Sequence, residues 1–288
     1  MVRLTSLTVK KWAAGALAIV TILAAGAAHA AEPHPWQIGM QPAATPVEAR
    51  LEAFNNELLV IIGLITVFVL GLLLYVIVRF SAQRHPVPTR TSHNTVIEIT
   101  WTIVPVLILV IIAIPSFKLM YYMDRVPNPD MTIKVTGHQW YWSYTYPDQK
   151  GLTFDSNLVQ QANLKPGQPR LLTVDNPLVV PVDTSVRVLI TSTDVMHDWF
   201  VPSFGVQEYA IIGRTNESWF RIERPGTYRG QCDQICGINH AFMPVEVKAV
   251  GKDEFKRWVA DAQKKYAHDG DGAGAVRVAA VPAAAAGN

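Results

Sequence analysis

Cys232-Asp-Gln-Ile-Cys236-Gly-Ile-Asn-His240-Ala-Phe-Met243 is the stretch around which the rest of the chain is organised, and it contains both cysteines of the protein. Two thiols, an imidazole and a thioether within so short a stretch form a set of soft and borderline ligands, which favours copper over magnesium or calcium. A single-copper electron-transfer site uses one thiolate, two imidazoles and a weak methionine, whereas a second nearby thiolate can bridge a second ion. The stretch therefore predicts a site for two copper ions.

This ligand set lacks one imidazole, and the best candidate is His197, in Asp194-Val-Met-His197-Asp-Trp-Phe-Val-Pro-Ser-Phe-Gly205. Other interpretations of the cysteines remain open. A cysteine pair in an exported protein is typical of a disulfide. A thiol-disulfide protein that delivers copper can carry Cys-x3-Cys with a remote histidine, but its cysteines would follow the first strand of a βαβ unit. A zinc site would need four ligands and gains nothing from Met243.

The N-terminal part of the sequence has the features of an exported membrane protein. Residues 1–30 contain basic residues, a short apolar run and a final Ala-x-Ala, which predict a cleaved signal peptide. The alternative is an uncleaved first membrane helix. Residues 31–57 then form an exported segment, and transmembrane spans are predicted at about 58–78 and 99–119, within a hairpin over 58–123.

The length and flanks of these spans support a membrane location. The first span is uncharged, and its length of ~31 Å as a helix matches a bilayer core of ~30 Å. Arg79, Arg84, His85 and Arg90 lie between the spans, so the positive-inside rule places this loop in the cytoplasm. A buried helical hairpin of a soluble protein is disfavoured by two such long spans with asymmetric flanks.

From residue 131 onward the sequence changes to short β-rich runs separated by Gly, Pro, Asn and Asp. The runs are 131–136, 140–146, 170–174, 186–192, 218–222, 226–230 and 245–250. They predict an all-β Greek-key sandwich over residues 124–266, closed by an amphipathic helix at 253–265. Residues 267–288, rich in Ala and Gly, are predicted to be a disordered tail. The formal net charge of +2 implies no nucleic-acid partner.

Three blocks of the sequence resemble subunit II of the haem-copper cytochrome c oxidases, in order and at the family's spacings. They are Gly230-Gln-Cys232-x3-Cys236-Gly-x2-His240-x2-Met243-Pro, His197-x-Trp199-x2-Val-Pro-Ser-Phe-Gly205 and Gly137-His-Gln-Trp140-Tyr-Trp142-Ser-Tyr144. The resemblance extends from the N-terminus to about residue 260. It implies a two-helix transmembrane hairpin followed by a cupredoxin-like sandwich, located in the bacterial inner membrane with the N-terminus and the sandwich on the periplasmic side.

The resemblance also implies a set of metal ligands. Cys232 and Cys236 would bridge the two copper ions of a CuA centre, and His197 and His240 would be terminal ligands. The weaker ligands would be Met243 and the backbone carbonyl of Gln234. Two other functions compete with this one. A quinol oxidase subunit II is disfavoured because that class lacks these copper ligands. A copper-binding or thiol-disulfide assembly factor would need one membrane anchor and a βαβ pattern.

Position 234 departs from the family in a way that affects a further metal. The family's usual Glu there helps to hold a magnesium or manganese ion at the boundary with subunit I, whereas Gln234 supplies only a neutral oxygen. The adjacent Asp233 is expected to point elsewhere, because neighbouring residues of an extended loop tend to point apart. The sequence therefore predicts that this ion is held loosely or is replaced by a hydrogen-bond network through Gln234.

The resemblance assigns roles to two more residues. Trp140 would be the residue where electrons from cytochrome c enter, before they reach haem in subunit I, where oxygen is reduced with proton pumping. By pattern alone, alternating aromatics in a strand usually serve packing. Glu98 matches the mouth of a proton path into subunit I, and its alternative is a carboxylate at the membrane interface. A subunit III and membrane lipid are further implied partners.

Docking of cytochrome c would use carboxylates that face a basic partner and raise the association rate. Matching positions are Asp148, Asp155, Asp175 and Asp194. Each of these has an alternative as an ordinary surface charge. Residues 124–288 contain 17 Lys and Arg against 18 Asp and Glu, so the domain is nearly neutral. A membrane-tethered cytochrome c, which needs less steering, therefore also fits.

Overall fold

Two long helices open the structure. The computed structural model describes residues 32–87, 89–125 and 128–266, and the predicted signal peptide and tail lie outside these ranges. Helix α1 spans Pro46–Arg79 and helix α2 spans Thr95–Asp124, so both extend past the predicted spans. Each contains an apolar window that the rest of the described chain leaves unburied. Such a surface suits contact with lipid or with the apolar helices of other subunits.

Polar side chains fix where the helices begin. Thr45 precedes Pro46 and its hydroxyl accepts a hydrogen bond from the backbone N–H of Glu48, while the Asn94 side chain accepts from the first free N–H groups of α2. These are the donors that a helix cannot satisfy internally, so both residues act as N-caps. Helix α2 continues through Pro105 and Pro115.

The rest of the described chain forms two packed five-stranded sheets. The strands and the closing helix are β1 Met131–His138, β2 Tyr141–Tyr146, β3 Leu152–Ser156, β4 Leu178–Pro181, β5 Val186–Ser192, β6 His197–Val201, β7 Val206–Ala210, β8 Asn216–Phe220, β9 Gly226–Cys232, β10 Pro244–Val250 and α3 Lys252–Lys265. One sheet has the order β3-β2-β1-β5-β8 and the other β4-β10-β9-β6-β7. The predicted fold class, two apolar helices followed by a cupredoxin-like Greek-key sandwich, is confirmed.

The strand assignments from sequence are right for most of the domain and wrong at one place. Residues 170–174 form turns, and only Val174 makes an isolated bridge, to Leu158. The backbone N–H of Val174 donates instead to the Glu246 carboxylate, at 3.1 Å. Strands β3, β4, β6 and β7 were not predicted, because they are short and their neighbours, which lie far away in sequence, decide their pairing.

Aromatic side chains of β2 hold the two sheets together. Trp142, Tyr144 and Tyr146 alternate along the strand and are all fully buried. The Tyr146 hydroxyl donates to the backbone carbonyl of Val179 in the opposite sheet at 2.9 Å, and the Trp199 indole donates to the Tyr144 hydroxyl. For these three residues the packing interpretation of the aromatic cluster is therefore confirmed, as expected for inward positions of a strand with period two.

The helices are attached to the sandwich by hydrogen bonds and aromatic contacts. The N–H of Ala44 donates to Ser203 at 2.8 Å, directly before α1, and the Trp219 indole donates to Met123, at the end of α2, at 3.1 Å. The Arg50 guanidinium lies 3.5 Å from the centre of the Tyr122 ring, a cation–π contact that links the two helices. The sandwich is thus fixed directly above the membrane-type helices.

Replacing Gly230 with alanine is expected to destabilise the sandwich by about 3 kcal/mol, the upper end of the usual penalty for overpacking. A Cβ atom at this position would lie 1.8 Å from the backbone oxygen of Phe200, and a backbone atom cannot move aside cheaply. Gly230 precedes the β9 residues that pair with β6, so the two ligand-bearing strands would separate. Thermal unfolding of the purified protein measures the effect, and Gly251→Ala is the matched control because a Cβ there meets nothing within 4 Å. Equal stability of the two variants would contradict the prediction.

Candidate metal centre

The soft-ligand residues meet at one end of the sandwich. His197 begins β6, Cys232 ends β9, and the loop after it carries Cys236 and leads into a short 3₁₀ turn that starts at His240. Strands β6 and β9 are neighbours, with Trp199 opposite Cys232, so pairing brings the remote histidine to the cysteine loop. Met243 closes the loop, and its carbonyl accepts from the N–H of Cys232 at 3.0 Å.

The sulfur atoms are close together but unbonded. Both cysteines are free thiols, and their Sγ atoms lie 3.8 Å apart. The ligand atoms of His197, Cys232 and Cys236 all lie within 4.8 Å of one another. The backbone carbonyl of Gln234 lies 3.3 Å from the Cys232 sulfur. The fold therefore places His197 and the Gln234 carbonyl, both predicted donors, close to the two thiols.

Each imidazole directs the same ring nitrogen at one sulfur. Nδ1 of His197 lies 4.0 Å from the Cys232 sulfur, and Nδ1 of His240 lies 3.6 Å from the Cys236 sulfur. The opposite nitrogen of His197, Nε2, lies 2.9 Å from a carboxylate oxygen of Asp194. When Nε2 carries the proton and donates it to Asp194, the Nδ1 lone pair is left free for a metal, as is usual for ligating histidines.

The surroundings of the thiols require positive charge if both are to ionise. Burial raises the pKa of the Cys236 thiol to about 12, and the neighbouring Cys232 adds to the rise. Burial also raises the pKa of Cys232. His197, Cys232, Cys236 and Met243 are almost completely excluded from solvent. A pair of buried thiolates is stable only beside cations, and copper ions suit thiolate and imidazole donors, so the residues present fit a copper centre.

Two side chains of the Gly137-His-Gln-Trp140 block hold the cysteine loop. The Gln139 amide donates to the backbone carbonyl of Cys236 at 2.9 Å, and the Trp140 indole donates to the same oxygen at 3.3 Å. Trp140 lies just before β2 and is half-buried, unlike the fully buried aromatics of that strand. It therefore connects the protein surface to a ligand-bearing residue.

Two glycines leave room for these contacts, and neither was assigned a role from the sequence. A Cβ on Gly137 would lie 2.7 Å from the His197 ring, and one on Gly237 would lie 3.0 Å from the Trp140 ring. Gly237 also has a φ of +126°, which side chains rarely allow. Asp194, predicted only as a docking carboxylate, has a second contact that was missed, to His197. In the sequence, the one signal for the roles of the two glycines was that each lies within one of the three motif blocks.

The four predicted docking carboxylates are exposed, and each also serves a local hydrogen bond. Asp148 accepts from Thr132, Asp155 from Ser143, and Asp175 from the backbone of Asn157. Asp194 accepts from His197 and from the backbone of Gln139 and Val195, and although burial alone would raise its pKa, these hydrogen bonds lower it. All four side chains lie at the surface, and their docking role is a proposal.

Glu98 lies far from the metal centre, in the first turn of α2. Its Oε1 atom accepts from the backbone N–H of Asn94 at 3.1 Å, and it is only half-buried. The side chain thus helps to cap the helix in the isolated chain. The role of Glu98 in a proton path into subunit I remains a prediction.

A cupredoxin-like sandwich that brings two thiols and two imidazoles together, above two membrane-type helices, defines a membrane protein with a site suited to copper. Family models match on both parts of the chain: "Cytochrome C oxidase subunit II, periplasmic domain" over residues 131–250 and "Cytochrome C oxidase subunit II, transmembrane domain" over residues 33–119.

Similar proteins agree with this assignment. Probable cytochrome c oxidase subunit 2 of Rickettsia bellii is 49% identical over 239 residues, covering 83% of this chain and 89% of the relative. Cytochrome c oxidase subunit 2 of Arabidopsis thaliana is 47% identical over 233 residues, covering 79% and 90%. The solved periplasmic domain of subunit II of cytochrome oxidase from Bradyrhizobium japonicum is 49% identical, covers 49% of this chain and 99% of its own, and has a TM-score of 0.47. The chain belongs to the cytochrome c oxidase subunit II family.

Proposed function

We propose that this chain accepts electrons from a cytochrome c at Trp140 and delivers them, through a two-copper CuA centre, to haem in subunit I. There oxygen is reduced, coupled to proton pumping. The observation that carries the proposal is the convergence of His197, Cys232 and Cys236 within 4.8 Å. The hydrogen bond from the Trp140 indole to the Cys236 carbonyl supports Trp140 as the point where electrons enter.

The chain's own residues prepare this site before any partner binds. Sheet pairing fixes His197 relative to Cys232, Asp194 orients the imidazole, and burial excludes water from the sulfurs. Copper ions bound by the two thiolates would supply a one-electron carrier that changes its ligand geometry little. Ligands held in place by the fold keep the structural rearrangement on electron transfer small, because packed interiors resist deformation.

The surface beside Trp140 is suited to a largely neutral partner face. A groove of about 420 Å³ is lined by Trp140, Tyr141, Asn157, Leu158, Gln160, Asn239 and Phe242. Ile235 and Ile238 of the cysteine loop are strongly exposed, at 81% and 88%. This apolar and amide-rich surface supports docking of the haem edge of a cytochrome c, with Asp148, Asp155, Asp175 and Asp194 assisting. Weak net charge is compatible with a membrane-tethered donor.

An electron paramagnetic resonance spectrum of the purified oxidase, combined with copper analysis, tests the proposal. We expect a mixed-valence signal from two coupled copper ions on this chain, which disappears when reduced cytochrome c is added without oxygen. The same experiment on a variant with His197→Ala should lose the signal. A single-copper signal, or copper that cytochrome c does not reduce, would refute the proposed function.

The proposed orientation places the sandwich in the periplasm and the loop between the helices in the cytoplasm of the bacterial inner membrane. Arg79 is the last residue of α1, and Arg84 and Arg90 lie between α1 and α2. Positive charge of this kind is typical of a cytoplasmic loop. The apolar surfaces of α1 and α2 then face lipid, subunit I and a subunit III.

Replacing Glu98 with glutamine is expected to reduce steady-state turnover and proton uptake by at least roughly tenfold, since an amide cannot pass on a proton. Glutamine keeps an Oε1 acceptor, so the cap to the Asn94 N–H, now 3.1 Å long, is retained. Copper reduction by cytochrome c should stay unchanged, because Glu98 lies at the opposite end of α2 from the sandwich. Oxygen consumption and pH-indicator kinetics measure both steps. Equal proton uptake in variant and wild type would leave Glu98 as a helix cap at the membrane interface.

A further inference from the structure

A second cavity reaches the metal centre, apart from the groove beside Trp140. It has a volume of about 250 Å³ and shares no lining residue with that groove. Cys232 and His240, two of the predicted copper ligands, form part of its wall. Pro33 and Gln41, from the segment that precedes α1, form another part. The cavity is therefore a place where a small species can come close to a buried thiol.

Polar groups on the wall favour water inside this space, which is named the Arg229 cavity after its most buried charge. The Arg229 side chain is only 9% exposed, and its Nε atom makes no hydrogen bond with any described residue. The buried Oε1 atom of Gln41 likewise has no partner among the described residues. Native proteins usually satisfy such atoms with water, and a volume of this size accommodates several water molecules. An ion can cross a wet cavity while it keeps part of its hydration, whereas a dry cavity would exclude it.

Another wall residue, Asp233, is held by a hydrogen bond. Its carboxylate accepts from the Gln207 amide at 2.8 Å. The sequence predicted such a network at Gln234, but among the described residues the Gln234 side chain makes no hydrogen bond, and only its backbone oxygen contacts Cys232. The polar wall of the Arg229 cavity thus extends to the residue directly after Cys232.

Residues 32–44 form a strap that supplies one wall of the Arg229 cavity. At one end of the strap, the Glu32 carboxylate accepts a hydrogen bond from the Arg229 guanidinium at 2.7 Å. At the other end, next to α1, the carbonyl of Ala43 and the N–H of Ala44 make hydrogen bonds of 2.7 and 2.8 Å to the sandwich. Between these ends, no described residue of the strap forms a hydrogen bond with the sandwich. The strap is therefore held at its two ends.

The contact at Glu32 is the weaker of the two attachments. The middle of the strap packs on nothing, since Trp36 and Ile38 are almost completely exposed, and segments with few buried contacts open at low free energy. The Glu32 side chain is 38% exposed, so its ion pair is a modest tie. When this pair opens, Glu246 still lies 3.7 Å from the Arg229 guanidinium, so the buried charge keeps a partner.

We propose that the Arg229 cavity is the route by which copper ions reach Cys232 and His240 in the folded chain, and that the strap is its gate. The inference rests on the proposed function and adds how its copper centre is loaded. Thiolate and imidazole are the donors that copper prefers, and the cavity wall carries one residue of each kind. Opening of the strap at Glu32 widens the route, and the protons that copper displaces from the thiols leave through the same water.

Thiol labelling of the copper-free, full-length chain tests the route without any metal. The chain, purified in detergent, is mixed with methyl methanethiosulfonate, a small reagent, and labelling of Cys232 is followed by mass spectrometry. Gln231→Trp should slow this labelling at least roughly tenfold, because Gln231 is an exposed residue of the cavity wall and a large side chain there fills space. Asn239→Trp is the matched control, since Asn239 is also exposed but lines the groove beside Trp140. This control should be labelled at the wild-type rate.

Glu32→Gln tests the gate in the opposite direction and does not touch the ligand loop. Loss of the ion pair should speed Cys232 labelling roughly twofold to fivefold, the range expected for a partly exposed pair. Glu217→Gln is its control, because Glu217 is also 38% exposed and loses a 2.6 Å pair with Arg187 elsewhere on the sandwich. Dilute urea should leave the wild-type labelling rate unchanged, since passage through a cavity exposes little new surface.

Uptake of Cu⁺ without oxygen, followed by the ultraviolet absorbance of copper–thiolate bonds, should give the same order of rates. Glu32→Gln should be fastest and Gln231→Trp slowest. If Gln231→Trp does not fold, Glu32→Gln and its control decide. The route is wrong if neither variant changes the rates, if Asn239→Trp slows Cys232 labelling instead, or if dilute urea accelerates labelling, as local unfolding of the cysteine loop would.

The final copper content separates this inference from the proposed function. Labelling rates in the expected order, in a chain that never binds two copper ions, would support the route and refute the proposed function. Two bound copper ions, with rates that none of the cavity and strap variants alters, would overturn the route alone.

Discussion

Replacing Cys232 with serine is expected to remove both copper ions from the chain and to abolish oxidation of cytochrome c by the assembled oxidase. The Cys232 sulfur lies 3.8 Å from the Cys236 sulfur, 4.0 Å from His197 Nδ1 and 3.3 Å from the Gln234 carbonyl oxygen, so it neighbours three of the predicted donors. A serine oxygen is a hard donor that is not ionised at neutral pH and cannot take the place of a bridging thiolate. Losing a group that only supports a metal ligand typically lowers metal affinity roughly 10–100-fold. Losing the bridging thiolate itself should therefore lower copper affinity at least ~100-fold.

Elemental analysis per haem, with the paramagnetic resonance spectrum, measures this loss. Ile238→Ala is the matched control, because Ile238 lies in the same loop but is 88% exposed and has no side-chain atom that could bind a metal. This control should keep two copper ions. The interpretation of the cysteines as bridging ligands fails if Cys232→Ser retains both ions, or if the active, copper-loaded wild type contains a Cys232–Cys236 disulfide.

The second large effect is expected for Trp140→Phe. This variant should slow reduction of the copper centre by cytochrome c roughly tenfold to a hundredfold, while copper content stays normal. Phenylalanine keeps an aromatic ring but loses the indole N–H that donates to the Cys236 carbonyl at 3.3 Å. The ring is then no longer held against the cysteine loop, and small displacements between donor and acceptor have large effects on rate. Trp140 is not a ligand, so metal retention separates its role from that of the cysteines.

Rapid mixing with reduced cytochrome c over a range of concentrations distinguishes docking from electron transfer. Tyr141→Phe is the control, because Tyr141 lines the same groove and stacks on His138 without touching the cysteine loop carbonyl. Tyr141→Phe should change only the apparent affinity for cytochrome c, and not the rate at saturating donor. A rate in Trp140→Phe equal to that of the wild type, at saturating donor, would show that Trp140 serves packing alone.

Much of the metal centre was predictable because its donors lie close together in sequence. Cys232, Cys236, His240 and Met243 fall within one loop, and their residue types specify soft-metal chemistry whatever the loop conformation. The membrane helices were predictable for a similar reason, since length and lack of charge are properties of a continuous segment. Boundaries were less certain: α1 begins at Pro46 because Thr45 caps it and the sandwich holds Ala44, well before the apolar span.

Contacts that depend on the folded conformation could not be predicted from single segments of the sequence. Residues 170–174 have strand-like composition but their backbone bonds to Glu246 and to a neighbouring loop, so no strand forms. Asp194 looked like a surface charge, and its contact with His197, only three residues further along, depends on the conformation of the turn between β5 and β6. Gly137 and Gly237 look like ordinary turn residues until the rings packed against them are seen.

The sequence by itself determined the order of parts and the kind of chemistry: two apolar helices, a β-rich domain, and a loop of thiol, imidazole and thioether donors. These follow from composition, spacing and the periodicity of single segments, which depend on neighbours along the chain. Only the tertiary structure decided which strands pair and which nitrogen of His197 faces a sulfur atom. It also decided that the Gln207 amide donates to both Asp198 and Asp233. The physical reason is that these contacts join residues far apart in sequence, and their geometry is set by packing of the whole sandwich.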